Sequence, residues 1–193
     1  MQRLRLILWA LVLVTGATAT IFYLTGQPRQ AVTSFGGEFT LQSTAGGSFS
    51  DRDLAGTPSL VFFGYTFCPD VCPTTLAETT GWRAELGLDE TDLRIIFVSV
   101  DPERDTLEVM KEYVAFFGGP VIGLTGTPEQ VETAKSVFGV FSKKVEDPGV
   151  ADYLVDHTAS VLMIDRDGNF LGTIVYEENR ETALAKIRRL LDA

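Results

Sequence analysis

The sequence predicts an α/β sandwich, a largely buried sheet flanked by helices with a small β-hairpin at its start. Three observations carry this. Residues 59–63 are a continuous apolar run, the pattern of a strand covered on both faces, and residues 93–100 read as a second buried strand. Stretches with apolar residues at helical spacing alternate with such runs, as layered α/β domains require. Both cysteines, Cys68 and Cys72, lie where the first buried run ends and a helix begins.

Taken in order, residues 1–5 carry Arg3 and Arg5, and residues 6–27 form a 22-residue run without a charge. At ~1.5 Å per residue such a helix spans about 30 Å, the thickness of a bilayer core. Trp9, Phe22 and Tyr23 stand near its ends, where amphipathic rings favour the interface. The expectation is a transmembrane anchor with a cytoplasmic N-terminus and an exported domain. A cleaved signal peptide is the competitor, with Ala17-Thr18-Ala19 as its cleavage site. Apolar residues resume at 21–24, which a released N-terminus would expose, so the retained anchor is preferred. Residues 28–34 are a linker, and residues 35–193 form one domain.

Within that domain, residues 35–42 and 48–50 around Thr44-Ala45-Gly46-Gly47 predict a hairpin. After the strand at 59–63, Pro73 fits a first helical turn, because its missing N–H would have no partner there. This puts Cys72 at a helix N-terminus with Cys68 just ahead, and the helix runs to about Leu86. Asp101-Pro102 is expected to cap and open the helix that follows the second buried strand, with Leu107, Met110, Val114 and Phe117 on its inner face. Residues 121–124 are a short strand. Thr127-Pro128-Glu129-Gln130 is a capping box ahead of Val131, Ala134 and Phe138. Residues 139–144 read as a short strand and 145–152, with Asp147-Pro148-Gly149, as a loop. Strands at 160–164 and 170–175 flank the turn Asp165-Arg166-Asp167-Gly168-Asn169. A last helix, 180–191, presents Leu184, Ile187 and Leu191. With the cysteines on the loop leaving the first buried strand, a thioredoxin-like arrangement is expected. The site then gathers at the carboxyl ends of parallel strands, with the Asp101 turn beside it.

The formal net charge is −10, and −12 once Arg3 and Arg5 are set aside. That argues against nucleic acid as a partner. Two cysteines in an exported chain can form a structural disulfide, but one closing so short a loop stabilises little. At spacing i, i+4 on one helical turn, Cβ atoms lie about 5–6 Å apart. That suits two sulfurs on one metal and is looser than a comfortable disulfide, with Cβ atoms about 3.8 Å apart. The spacing permits both a soft metal ion, Cu(I) or Zn(II), and a reversible disulfide, and leans to the metal.

His157 is the only histidine. A lone histidine is most often a surface or core side chain. This one follows a loop and precedes a strand expected in the same sheet as Phe62, and a neutral imidazole would complete a Cys₂His set that accepts Cu(I) or Cu(II). Asp156 should point away from it along an extended segment. A thioredoxin-type oxidoreductase would carry two residues between its cysteines, not three, and a cis-proline facing them. Residues 151–163 contain no proline. A cysteine peroxidase would want an arginine such as Arg104, and leaves His157 without a role. Trp82, Met110 and Met163 read as core or rim residues.

Three segments together resemble the Sco/SenC family of membrane-anchored copper proteins that assemble cytochrome c oxidase. They are Phe67-Cys68-Pro69-Asp70-Val71-Cys72-Pro73, Val98-Ser99-Val100-Asp101-Pro102-Glu103-Arg104-Asp105-Thr106, and Asp152-Tyr153-Leu154-Val155-Asp156-His157-Thr158. The likeness runs from about Phe35 to the last helix. It implies that Cys68, Cys72 and His157 bind one copper, and that the domain passes it to the binuclear copper site of oxidase subunit II. It also implies a thioredoxin-like fold. Asp101, Arg104 and Asp105 match a family motif whose simplest role is capping a helix. A thiol-disulfide reductase that keeps the cysteines of the oxidase site reduced, working through Cys68 and Cys72 alone, is the rival. A periplasmic copper donor or a thioredoxin-like reductase would be further partners. An anchor beginning at residue 6 points to a bacterial inner membrane with the domain in the periplasm.

Overall fold

The computed structural model describes Arg5, Trp9 and residues 37–146 and 152–193. The chain divides into two compact units, Met1–Thr33 and Ser34–Ala193. Of the first, Arg5 and Trp9 are helical and exposed. Among the described residues no helix is long and apolar enough to cross a membrane. The expected span over residues 6–27 lies, Trp9 apart, outside them, as do the expected linker and Asp147-Pro148-Gly149.

The second unit is a mixed α/β, thioredoxin-like sandwich. Its strands are β1 (Thr40–Ser43), β2 (Ser48–Ser50), β3 (Ser59–Gly64), β4 (Arg94–Ser99), β5 (Ile122–Thr125), β6 (Ser142–Glu146), β7 (Tyr153–His157), β8 (Val161–Ile164) and β9 (Phe170–Ile174). Its helices are α1 (Val71–Glu85), α2 (Leu107–Val114), α3 (Pro128–Phe138) and α4 (Arg180–Leu191), with a 3-10 turn at Asp51–Leu54. Seven strands form one sheet in the order β2-β1-β5-β4-β3-β8-β9. Strands β3, β4 and β5 run parallel at its centre, while β1 and β8 join antiparallel on either side. All six residues of β3 are buried, and so are five of the six in β4, in keeping with the apolar residues 60–63 and 95–98 at their centres. Phe62, Phe63, Phe97, Leu60, Ile95 and Ile96 are among the largest fully buried side chains.

Strands β6 and β7 stand apart as a two-stranded antiparallel sheet. The parallel pairing of β3 with β4 brings their carboxyl ends side by side, and Val100 donates its N–H to the Gly64 carbonyl at 2.8 Å. The cysteine loop and the Asp101 turn therefore leave the sheet as neighbours.

Four local expectations are corrected. The segment from Asp101 is not the start of a helix. It forms its own turn, with the Arg104 and Asp105 N–H groups on the Asp101 carbonyl, and α2 begins later under a Thr106 cap. Asp101 and Asp105 are fully buried and spend their carboxylates on tertiary contacts instead. Residues 139–144 are not one strand, because Gly139 takes a left-handed φ of 63° and ends α3. The strand starts at Ser142 and carries Val145 and Glu146, which had been read as loop. In α4, Leu190 rather than Leu191 is fully buried beside Leu184 and Ile187. The first hairpin strand is shorter than expected, beginning at Thr40. The capping box of α3 stands, with Thr127 and Gln130 exchanging hydrogen bonds, and Val131, Ala134 and Phe138 are buried as read.

Candidate metal centre

Helix α1 opens at Val71 after an Asp70 whose side chain makes no capping bond. A sulfur takes that work. The Cys72 N–H, one of the donors a helix start leaves unpaired, points at Cys68 Sγ at 3.3 Å. Cys68 is thus not on the helical turn with Cys72, as the i, i+4 argument assumed, but on the loop ahead of it.

The two thiols are chemically unlike. The Cys72 thiol and the N–H groups of Cys72 and Asp70 donate to Cys68, and they bring it down to about 4 against the opposing cost of burial. Cys72 is fully buried, and burial first, then the Cys68 sulfur, pushes it well above the ordinary thiol range. The pair at neutral pH is a Cys68 thiolate held by a Cys72 thiol. The N–H groups at this helix start face Cys68, which takes the negative charge.

His157 ends β7 and reaches the cysteines from across the fold. Its Nε2 lies 3.5 Å from Cys72 Sγ, and its Nδ1 lies 3.0 Å from the Thr158 carbonyl. A carbonyl only accepts, so Nδ1 carries the proton in that bond and Nε2 turns its lone pair to the sulfurs. The ring stands edge-on to Phe62 and to Tyr65, each with centroids 5.9 Å away. The side chain of the neighbouring Asp156 is exposed and Val155 is buried, the alternation expected along a strand. Ligand atoms of Cys68, Cys72 and His157 all lie within 4.8 Å of one another and could hold one metal ion. Two sulfurs and one imidazole nitrogen are donors that copper favours.

Gly64 and Tyr65, not singled out from the sequence, shape this site, as does Asp105, read there only as part of a helix-capping motif. Gly64 leaves the space that Cys72 fills, since a Cβ there would stand 2.7 Å from Cys72 Sγ and 2.7 Å from the Phe97 ring. Tyr65 is buried and accepts the Val155 N–H on its hydroxyl at 3.2 Å. Asp105 ties the cysteine loop to β4, accepting from the Thr66 hydroxyl and the Ser99 hydroxyl, each at 2.6 Å, and from the Thr66 N–H. The glycine-tyrosine pair after an apolar strand was the available signal for the first two. Arg104 is engaged with Asp101, Asp152 and Tyr153 and makes no bond to either sulfur. The described residues hold no cis peptide bond, so a thioredoxin-type cis-proline is absent among them. Trp82, Met110 and Met163 are buried, as read.

Fold and site define a thioredoxin-like domain whose two cysteines and single histidine converge as a candidate metal centre. The chain belongs to the SCO1/SenC family, whose model matches residues 27–192. It is 37% identical over 163 residues to "Protein SCO2, mitochondrial" of Saccharomyces cerevisiae, covering 83% of this chain and 54% of that protein. The chain therefore spans about half the length of that relative. Among solved structures it is similar to Bradyrhizobium japonicum ScoI with copper bound, at 41% identity and a TM-score of 0.72 over 80% of this chain and 98% of that one. It is also similar to BsSco, described as a member of the Sco family of cytochrome c oxidase assembly proteins with a disulfide switch. There the identity is 26% and the TM-score 0.61, over 81% of this chain and 92% of that one.

Proposed function

We propose that this protein carries one copper ion on Cys68, Cys72 and His157 and passes it to the binuclear copper site of cytochrome c oxidase subunit II. The observation that carries the reading is the convergence of the three ligand atoms within 4.8 Å from two distant parts of the chain. The likeness to a copper-bound ScoI and to an oxidase assembly protein supports it. Copper is cargo here. The Cys68 thiolate is ready to receive Cu(I), and Cys72 surrenders its proton as the metal arrives. The imidazole Nε2, aimed by the Thr158 carbonyl, supplies the harder donor that Cu(II) needs. The half-buried Cys68 offers the exchange route to an acceptor's thiolates, while Cys72 and His157 hold the ion from behind. Residues 6–27 serve in this reading as an anchor in a bacterial inner membrane. The domain then lies in the periplasm, where a copper donor or a thioredoxin-like reductase can reach it.

The test is copper binding by the whole chain and its His157→Ala variant. Cu(II) affinity should fall far more than Cu(I) affinity, and Cys68→Ala should abolish thiolate-to-copper absorption. Equal losses of both oxidation states in His157→Ala would count against the reading.

A second reading, thiol-disulfide reduction, is favoured by the unequal pair itself. An accessible thiolate beside a buried thiol is the arrangement that attacks a disulfide. Cys68 would form a mixed disulfide with one sulfur of a substrate. Cys72, on losing its proton, would then attack Cys68 and release the substrate as a dithiol, leaving a Cys68–Cys72 disulfide. A thioredoxin-like reductase would restore the pair. Turnover of a disulfide substrate by His157→Ala at the wild-type rate supports this second role.

A further inference from the structure

The histidine arrives on a strand that the main sheet does not hold. Strand β7 pairs with β6 alone, and neither joins the seven-stranded sheet by a ladder. Besides the Val155 N–H on the Tyr65 hydroxyl and the ring contacts of His157 with Phe62 and Tyr65, β7 is attached to the body by a set of side-chain contacts that meet at Arg104. Its Nε donates to the buried Asp101 carboxylate, which also accepts the Tyr153 hydroxyl at 2.8 Å. Its Nη1 donates to the Tyr153 carbonyl at 2.9 Å and to Asp152 at 3.2 Å. The guanidinium lies 3.8 Å from the centroid of the Tyr153 ring and 4.9 Å from that of Phe67. Tyr153 opens the strand that ends in His157, and Phe67 immediately precedes Cys68. One planar cation therefore touches both ligand-bearing segments and is itself anchored to the turn after β4. Only a guanidinium can donate in two directions within a plane while stacking on rings. Its side chain is 13% exposed, so solvent competes weakly with these bonds.

We infer that Arg104 is a positioning residue that sets the separation between the cysteine pair and His157, and so decides whether the site engages its third ligand. Loosening it frees Tyr153 and the strand behind it, leaving the sulfurs in place, since Cys68 is held by the Cys72 N–H and Cys72 by the core around Gly64. The consequence is selective. Cu(II), which needs the imidazole, is weakened, and Cu(I), which two thiolates can hold, is not. This rests on the copper reading above.

The experiment uses the full-length chain as wild type, Arg104→Gln, Arg104→Lys, His157→Ala and the Arg104→Gln/His157→Ala double variant. In the metal-free protein, amide exchange at Val155 and Thr158 should quicken in Arg104→Gln while β3 and β4 keep wild-type protection. Cu(II) affinity should fall about 10- to 100-fold, the range for residues that orient a ligand. That loss should vanish when His157 is already alanine, and Cu(I) affinity should be unchanged. Unchanged exchange over residues 153–158 would overturn the inference, as would an equal Cu(II) loss with and without His157. If Arg104→Gln quickens exchange throughout the domain, Arg104→Lys decides, because it keeps the charge and the stem but not the fork. Faster exchange confined to residues 153–158 then supports the role, and wild-type exchange refutes it. A wild-type chain that binds no Cu(II) sinks the copper reading alone, and the exchange of the metal-free variants still judges Arg104.

Discussion

Cys68 and Cys72 differ because backbone and burial act on them in opposite directions. The N–H groups at the start of α1 and the Cys72 thiol converge on Cys68, while Cys72 sits at 0% exposure. Alkylation of Cys68 should therefore stay fast as pH falls from 9 and drop with a midpoint near the value of about 4 that its surroundings impose. In Cys72→Ala the largest of those stabilising bonds is gone, and the midpoint should rise, as a pH–rate profile with iodoacetamide would show. The sign for stability follows. A thiol whose pKa is depressed on folding stabilises the fold fully above its ordinary value near 9, and that contribution is lost progressively as pH falls through about 4. Buried Cys72 acts the other way, opposing the fold at alkaline pH, where the unfolded chain would ionise it. Denaturant titrations of wild type and Cys68→Ala across this range should converge at the acid end; a constant gap between them would contradict the assignment.

At the scale of elements, the carboxyl end of β3 and the first turn of α1 are fitted to one another through a single missing side chain. Gly64 and Cys72 cannot both carry bulk, because an added Cβ at Gly64 meets Cys72 Sγ and the Phe97 ring at 2.7 Å. Neither neighbour is a loose surface group, since Phe97 is fully buried and stacks on Phe62. Gly64→Ala should cost about 1–3 kcal/mol, the range for overpacking a well-filled core. It should also weaken metal binding by displacing Cys72, as thermal unfolding and metal titration of the same variant would show. Wild-type metal affinity in a folded Gly64→Ala protein would contradict that fit. The Asp101 turn carries a related lesson. Asp-Pro ahead of an apolar-periodic segment reads as a helix cap, yet here the carboxylate accepts from Arg104 and from the Tyr153 hydroxyl. A buried carboxylate is costly unless paired, and the pairing partner, 52 residues away, outweighs the local preference.

For the whole molecule, a metal bound only by the folded chain adds stability by mass action, about 2.7 kcal/mol when its free concentration is a hundred times Kd. Copper should raise the unfolding temperature of the wild-type chain, and Cys68→Ala, compared with its own metal-free value, should show no such increment. An increment that survives Cys68→Ala would place the metal elsewhere. The increment is expected because the candidate ligands come from separate layers, Cys68 and Cys72 from the junction of β3 with α1 and His157 from the detached β6–β7 sheet. Much of this was legible beforehand. Largely apolar stretches at 59–63 and 93–100 mark buried strands because a strand covered on both faces has no polar side, and a Thr-Pro-Glu-Gln box marks a helix start because its bonds are local. The cysteine pair and the lone histidine stood out because few other side chains bind soft metals. What only the tertiary structure decided depends on residues far apart in the chain. It determined which sulfur the N–H groups face, that Asp101 abandons a helix cap for Tyr153, that Gly64 makes room for Cys72, and that Arg104 touches both ligand segments. Local sequence encodes periodicity and caps through short-range sterics and hydrogen bonds. The convergence of a site depends on which surfaces the sheet brings together, and only the packed chain expresses that.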